Sequence, residues 1–94
     1  TMSKTDHMRY FTTFVMTLLD DFARYLDHAE KIDFVKDGVG YHTISLNLSD
    51  AEMMELNEKL NSVLLPYLQN DPEPERKRRL YSSIVVPDEN DQSE

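Results

Sequence analysis

Apolar residues recur along the first third of the chain at Met8, Phe11, Val15, Leu18, Phe22, Tyr25 and Ala29. The steps alternate between three and four, the period of one helical face. Phe14, Leu19 and Leu26 widen the stripe on both sides. This pattern predicts a helix that starts near Thr5 or Asp6, either of which can cap free backbone amides, and ends around Glu30. Heptad spacing sustained over three repeats favours a seam that meets another helix. Burying one large apolar side chain gains roughly 1.5–3 kcal/mol, so leaving the whole stripe in water is costly. The side formed by Val15, Leu18 and Leu19 fits a core position under the domain's own sheet and second helix. The stripe is wider than one such face, however, and its other side is expected to meet a second subunit. The expected dimer interface is Phe11, Phe14, Val15, Leu18, Phe22 and Tyr25.

The period changes in 32-IDFVKDGVGYHTISLNL-48. Asp37-Gly38 and Gly40 carry turn chemistry between Ile32–Lys36 and Tyr41–Leu48, which predicts a β-hairpin or a strand entry. In the second run His42, Ile44, Leu46 and Leu48 share one face, and Tyr41, Thr43, Ser45 and Asn47 the other. That alternation is expected of a half-buried strand. The segment 49-SDAE-52 reads as a capping box, with Leu48 and Met53 as its hydrophobic staple. A second helix follows, with Met53, Leu56, Leu60, Val63, Leu64 and Tyr67 along one face. Pro66 removes one helical hydrogen bond and predicts a kink or an early end. The stretch 70-NDPEPE-75 is a loop, and 79-RLYSSIVVP-87 reads as a final strand. Residues 88–94 form a charged tail expected to be disordered. Together these elements predict an α+β fold of order α-β(β)-α-β, with two long helices on one face of a small, mostly antiparallel sheet. Residues 1–87 form one domain in this reading.

Length and composition sharpen the expectation. Ninety-four residues support only a thin core, and the chain has no cysteine to staple it. The same absence excludes thiolate catalysis and sulfur-ligated zinc. Asp20 and Asp21 make the long apolar run too polar to cross a bilayer. No secretion-signal pattern opens the chain, so a cytoplasmic setting is expected. Thr1 precedes Met2, which suggests either a cloning residue or a piece cut from a longer protein.

The formal net charge of −8 opposes binding to a phosphate backbone. The basic cluster 76-RKRR-79 follows the acidic 73-EPE-75 and is read as a solvated strand entry.

Chemistry-bearing side chains are scattered. His7 and His28 lie three heptads apart on one helix, roughly 30 Å at about 1.5 Å per residue, too far to share a metal within one subunit. An antiparallel dimer would bring His7 near His28 of its partner, with Asp27 or Glu30 as further ligands, but flanking histidines on a solvated helix are ordinary. His42 shares the apolar face of its strand and reads as a core histidine. Glu52, Glu55 and Glu58 lie on a solvated helix face. The two glycines cannot build a phosphate loop, and no serine has a base-and-elbow context. No catalytic residue, metal site or cofactor is expected, and the chain is read as a non-enzyme.

The runs 41-YHTISLNLSDAEMMELNEKLNSVLLPYLQ-69 and 78-RRLYSSIVVPDE-89 resemble the C-terminal half of bacterial winged helix-turn-helix regulators of ArsR-like type. The first helix resembles the dimerising helix that precedes that unit. The resemblance implies a dimerisation or effector domain of a transcriptional regulator. DNA would then be contacted only through an N-terminal winged helix outside this chain. The family's metal sensors use cysteine clusters or closely spaced Asp/His pairs; Asp6-His7 and Asp27-His28 do not reproduce that spacing. A small-molecule effector is expected where the first helix meets the sheet, near Phe22, Tyr25, Tyr41 and His42. Two other readings compete: a free-standing acidic homodimeric interaction module, and a small dimeric enzyme.

Overall fold

The computed structural model describes residues 1–89, and the chain divides into two compact units, Thr1–Ser45 and Leu46–Glu94. The first unit contains helix α1 (Lys4–His28) and a single helical turn, α2 (Phe34–Asp37). The second contains helix α3 (Asp50–Leu68).

Helix α1 begins earlier than its apolar stripe, because the cap is Ser3 rather than Thr5 or Asp6. The Ser3 hydroxyl accepts the Asp6 N–H at 3.1 Å, and the Asp6 carboxylate accepts the Ser3 N–H at 3.1 Å. This is a capping box with aspartate in place of the more usual glutamate. At the other end, the Ala29 N–H donates to the Tyr25 carbonyl at 3.0 Å. His28 Nδ1–H also donates to the Arg24 carbonyl at 2.8 Å, folding its ring back onto the last turn. The three threonines of the middle turns bond back to their own helix: Thr12 to Met8, Thr13 to Arg9 and Thr17 to Thr13. Their hydroxyls are thereby satisfied without a neighbour.

The expected hairpin is instead a helical turn. Asp33 caps α2 by accepting the Lys36 N–H at 3.2 Å. Gly38 closes it in the left-handed region at φ 73°. The Val39 N–H reaches the Phe34 carbonyl at 2.8 Å and the Gly38 N–H reaches Val35 at 3.3 Å. These two bonds form a Schellman motif, which needs glycine for the same positive φ that a hairpin would. The Asp-Gly signal thus marked a chain reversal correctly but assigned it to the wrong element.

Helix α3 starts where its capping box places it. The Ser49 hydroxyl accepts the Glu52 N–H at 3.1 Å, and Glu52 accepts the Ser49 N–H at 2.8 Å. Pro66 lies within the helix, which stops two residues later at Leu68. Arg76 then holds the 71–76 loop, donating to the Asp71 carbonyl at 2.7 Å while its N–H bonds Glu73.

The α+β expectation is overturned. Among the described residues there is no strand and no sheet, only the three helices. Ile32–Lys36 is partly the helical turn α2, and Tyr41–Leu48 and 79–87 are irregular. Alternation sorts side chains onto two faces, but a strand also requires ladder hydrogen bonds to a neighbour. No such backbone bond is made by these segments among the described residues. Without a sheet the predicted core is missing as well: no described residue is buried. Of the expected disordered tail, residues 90–94 lie outside the described part of the chain.

Candidate association face on the first helix

The first unit gathers the only ring cluster among the described residues. Phe22 meets Tyr25, Phe34 and Tyr41 at centroid separations of 6.1–6.2 Å, and Tyr25 meets Phe34 at 6.2 Å. The edge-on and tilted geometries suit aromatic quadrupoles. The Tyr25 hydroxyl donates to the Asp37 carboxylate at 2.6 Å, fastening α2 to the last turns of α1. That bond to Asp37 is the main reason the Tyr25 phenol is held above its ordinary value.

Phe22, Tyr25 and Tyr41, three of the four residues expected to line a ligand pocket, are therefore brought together. Phe22 is the hub: Tyr25, Phe34 and Tyr41 each meet it, Tyr25 also meets Phe34, and Tyr41 stays largely exposed at the edge of the cluster. His42 is exposed and takes no part in the ring contacts. Phe34 and Asp37 were missed by the sequence reading, which placed them in a hairpin. The signal that finds them is Asp33, which caps the turn three residues ahead of Lys36 and five ahead of the closing glycine. In the second unit, two grooves are lined largely by α3. One, of about 290 Å³, is lined by Asn57, Leu60, Asn61, Leu64, Tyr81 and Ser83. The other, of about 210 Å³, is lined by Leu48, Glu52, Glu55, Leu56 and Lys59.

The remainder of the α1 stripe has no such cover. Met8, Phe11, Phe14 and Leu19 are exposed, while Val15 and Leu18 are half-buried. Of the expected interface, Phe11, Phe14, Val15 and Leu18 line this open part, whereas Phe22 and Tyr25 are turned into the ring cluster. Ion pairs lie off the apolar face: Arg9 with Asp6 at 3.0 Å, and Arg24 with Asp21. In a solvated setting such pairs contribute little, but they keep the polar side of the helix soluble.

No group of three or more His, Asp or Glu side chains among the described residues is placed to hold a metal ion. No described helix is long and apolar enough to cross a membrane. The sequence matches no protein-family model and no curated relative. Helix α1 is thus a capped amphipathic helix whose Phe22 and Tyr25 contact their own chain and whose Met8, Phe11, Phe14 and Leu19 are exposed.

Proposed function

We propose that the chain is a non-catalytic dimerisation or effector domain of a bacterial transcriptional regulator, working as a homodimer in the cytoplasm. The winged helix that reads DNA lies outside these residues. The observation that carries this reading is the uncovered apolar stripe of α1 between Met8 and Leu19. A face of this kind is favourably hidden by another helix of the same type, and self-association supplies one at no cost in partner specificity. The capped, Leu- and Glu-rich α3 agrees with the helical part of the regulator resemblance. The net charge of −8 agrees with a role remote from the phosphate backbone. In a regulator, such a dimer would set the spacing of two DNA-reading heads. An effector would act by favouring one arrangement of the subunits over another.

Fusion of the chain to a DNA-binding head that requires dimerisation tests the proposal. Operator occupancy is expected with the fusion and not with the head alone. Light scattering should report twice the 11.0 kDa chain mass. Monomeric mass and an inactive fusion would refute the reading. An in-frame winged helix-turn-helix encoded ahead of Thr1 supports regulation; a dimer encoded without one favours the acidic interaction module.

A further inference from the structure

We infer that two copies of α1 pair antiparallel, centred near Thr13, so that Phe14 of one copy meets Phe14 of the other. This rests on the homodimer reading and adds its geometry. The first argument comes from the ring cluster. Phe34 and Tyr41 lie against Phe22, and Phe34 against Tyr25, so the C-terminal third of the stripe is already covered by its own chain. In a parallel, in-register pair both covering segments would arrive between the helices at the same level and force them apart. In an antiparallel pair each lies level with the other helix's first turn, Phe22 opposite Lys4, and the open stretches from Met8 to Leu19 overlap in full.

Heptad positions fix the register. With Met8 and Val15 at the first seam position, Phe11 and Leu18 fall at the second. Antiparallel layers then set Met8 against Leu18 of the second copy, and Phe11 against Val15. The two flanks are not alike. Phe14 meets its own counterpart on one side of the twofold axis, and Thr12 meets its counterpart on the other.

Charge supplies the second argument. The first turns of α1 carry Lys4, Asp6, His7 and Arg9, with Arg9 paired to Asp6. Its later turns carry Asp20, Asp21, Arg24 and Asp27, with Arg24 paired to Asp21. Lys4 thus leaves the first end basic, and Asp20 and Asp27 leave the later end acidic. In this register His7 lies across from Asp21 of the second copy on the Phe14 flank, and Lys4 approaches the same acidic end. A parallel pair would set Lys4 against Lys4 and leave Asp20 and Asp21 with no basic residue opposite. Opposed helix dipoles favour the antiparallel arrangement further.

Single-cysteine variants of the cysteine-free chain decide the matter. Under mild oxidation Thr12→Cys should give a disulfide-linked dimer as its main product. Lys4→Cys should give none, because its two copies lie about 27 Å apart along the axis at about 1.5 Å rise per residue. Adding Phe14→Glu to Thr12→Cys should abolish the cross-link. A dimer of normal mass that cross-links through Lys4→Cys overturns the antiparallel geometry and leaves the homodimer standing. A dimer that cross-links through neither position also overturns it, by moving the interface off this face. Monomeric mass removes the homodimer itself.

Discussion

Phe14→Glu offers the most direct test of whether the α1 stripe is an interface. Phe14 is 39% exposed. An aromatic side chain has roughly 200 Å² to bury, so pairing would hide about 80 Å² more of it in each copy. At about 25 cal/mol per Å² that contributes about 2 kcal/mol per copy and about 4 kcal/mol per dimer. Losing it raises the dimer dissociation constant about 10³-fold. Two carboxylates brought face to face add repulsion of about 1 kcal/mol even at the dielectric of water. The helix itself should persist, since glutamate is at least as good a helix former as phenylalanine and Phe14 is outside the ring cluster. Sedimentation velocity over a concentration series spanning the wild-type midpoint reads the shift, with far-ultraviolet circular dichroism confirming unchanged helicity. Met16→Glu is the matched control. Met16 is 56% exposed but lies on the far side of the helix from the seam. Like most surface substitutions it should change the association energy by less than about 0.5 kcal/mol. If Phe14→Glu and Met16→Glu behave alike, or both sediment as wild type, the stripe is not the interface.

The remaining tests concern the Ser49 capping box and the Tyr25 latch. Ser49→Ala should cost α3 about 1 kcal/mol, read as earlier thermal loss of helicity; an unchanged melt would mean that the box contributes nothing in solution. The Glu52 carboxyl is held below its ordinary value of 4.5 by the Ser49 N–H first and its hydroxyl second. Its stabilisation of α3 is therefore complete above pH 4.5 and is lost as pH falls through the lowered value. Glu52→Gln should remove that acid-side loss, as monitored by helicity against pH. Tyr25 is displaced in the opposite sense: its phenol stays protonated above the usual 10.0 because it donates to Asp37. That contribution is full below pH 10 and is lost as pH rises through the raised value. In an absorbance titration, Tyr25→Phe should remove an ionisation lying above 10.0. Asp37→Asn should bring that ionisation back towards 10.0.

What could be read from the sequence was what is decided locally. The Ser49 box involves residues three apart, and it forms as the pattern predicts. The Ser3 box has the same spacing but was passed over, because Asp6 stands where glutamate or glutamine is expected and Thr5 and Asp6 offer themselves as rival caps. The stripe of α1 was legible because 3.6-residue periodicity needs no partner to be formed, only to be buried. Strands are different. The faces of Tyr41–Leu48 follow from its own residues, but its status as a strand depends on a neighbour that local pattern cannot supply. The ring cluster lies between these cases. Aromatic chemistry groups Phe22, Tyr25 and Tyr41 in the sequence, and the structure brings Tyr25 and Tyr41 each against Phe22. The part of Phe34, however, depends on a helical turn that the Asp37-Gly38 pattern disguises as a hairpin.

The same reasoning explains why one end of α1 is closed and the other open. The segment between α1 and α2 returns Phe34 to Phe22, the Tyr25–Asp37 bond holds α2 there, and past Gly38 the chain brings Tyr41 to the same ring. The seam residues back to Met8 lie several turns away, beyond the reach of so short a segment at about 1.5 Å of helix per residue. A four-residue turn can cover only about one turn of a 25-residue helix. The cover we propose for Phe11, Phe14 and Leu19 is a rod of comparable length, a second copy of α1. It matches this one in length and spacing by identity, and brings its Asp20–Asp27 end to Lys4 of the first only when the two run in opposite directions.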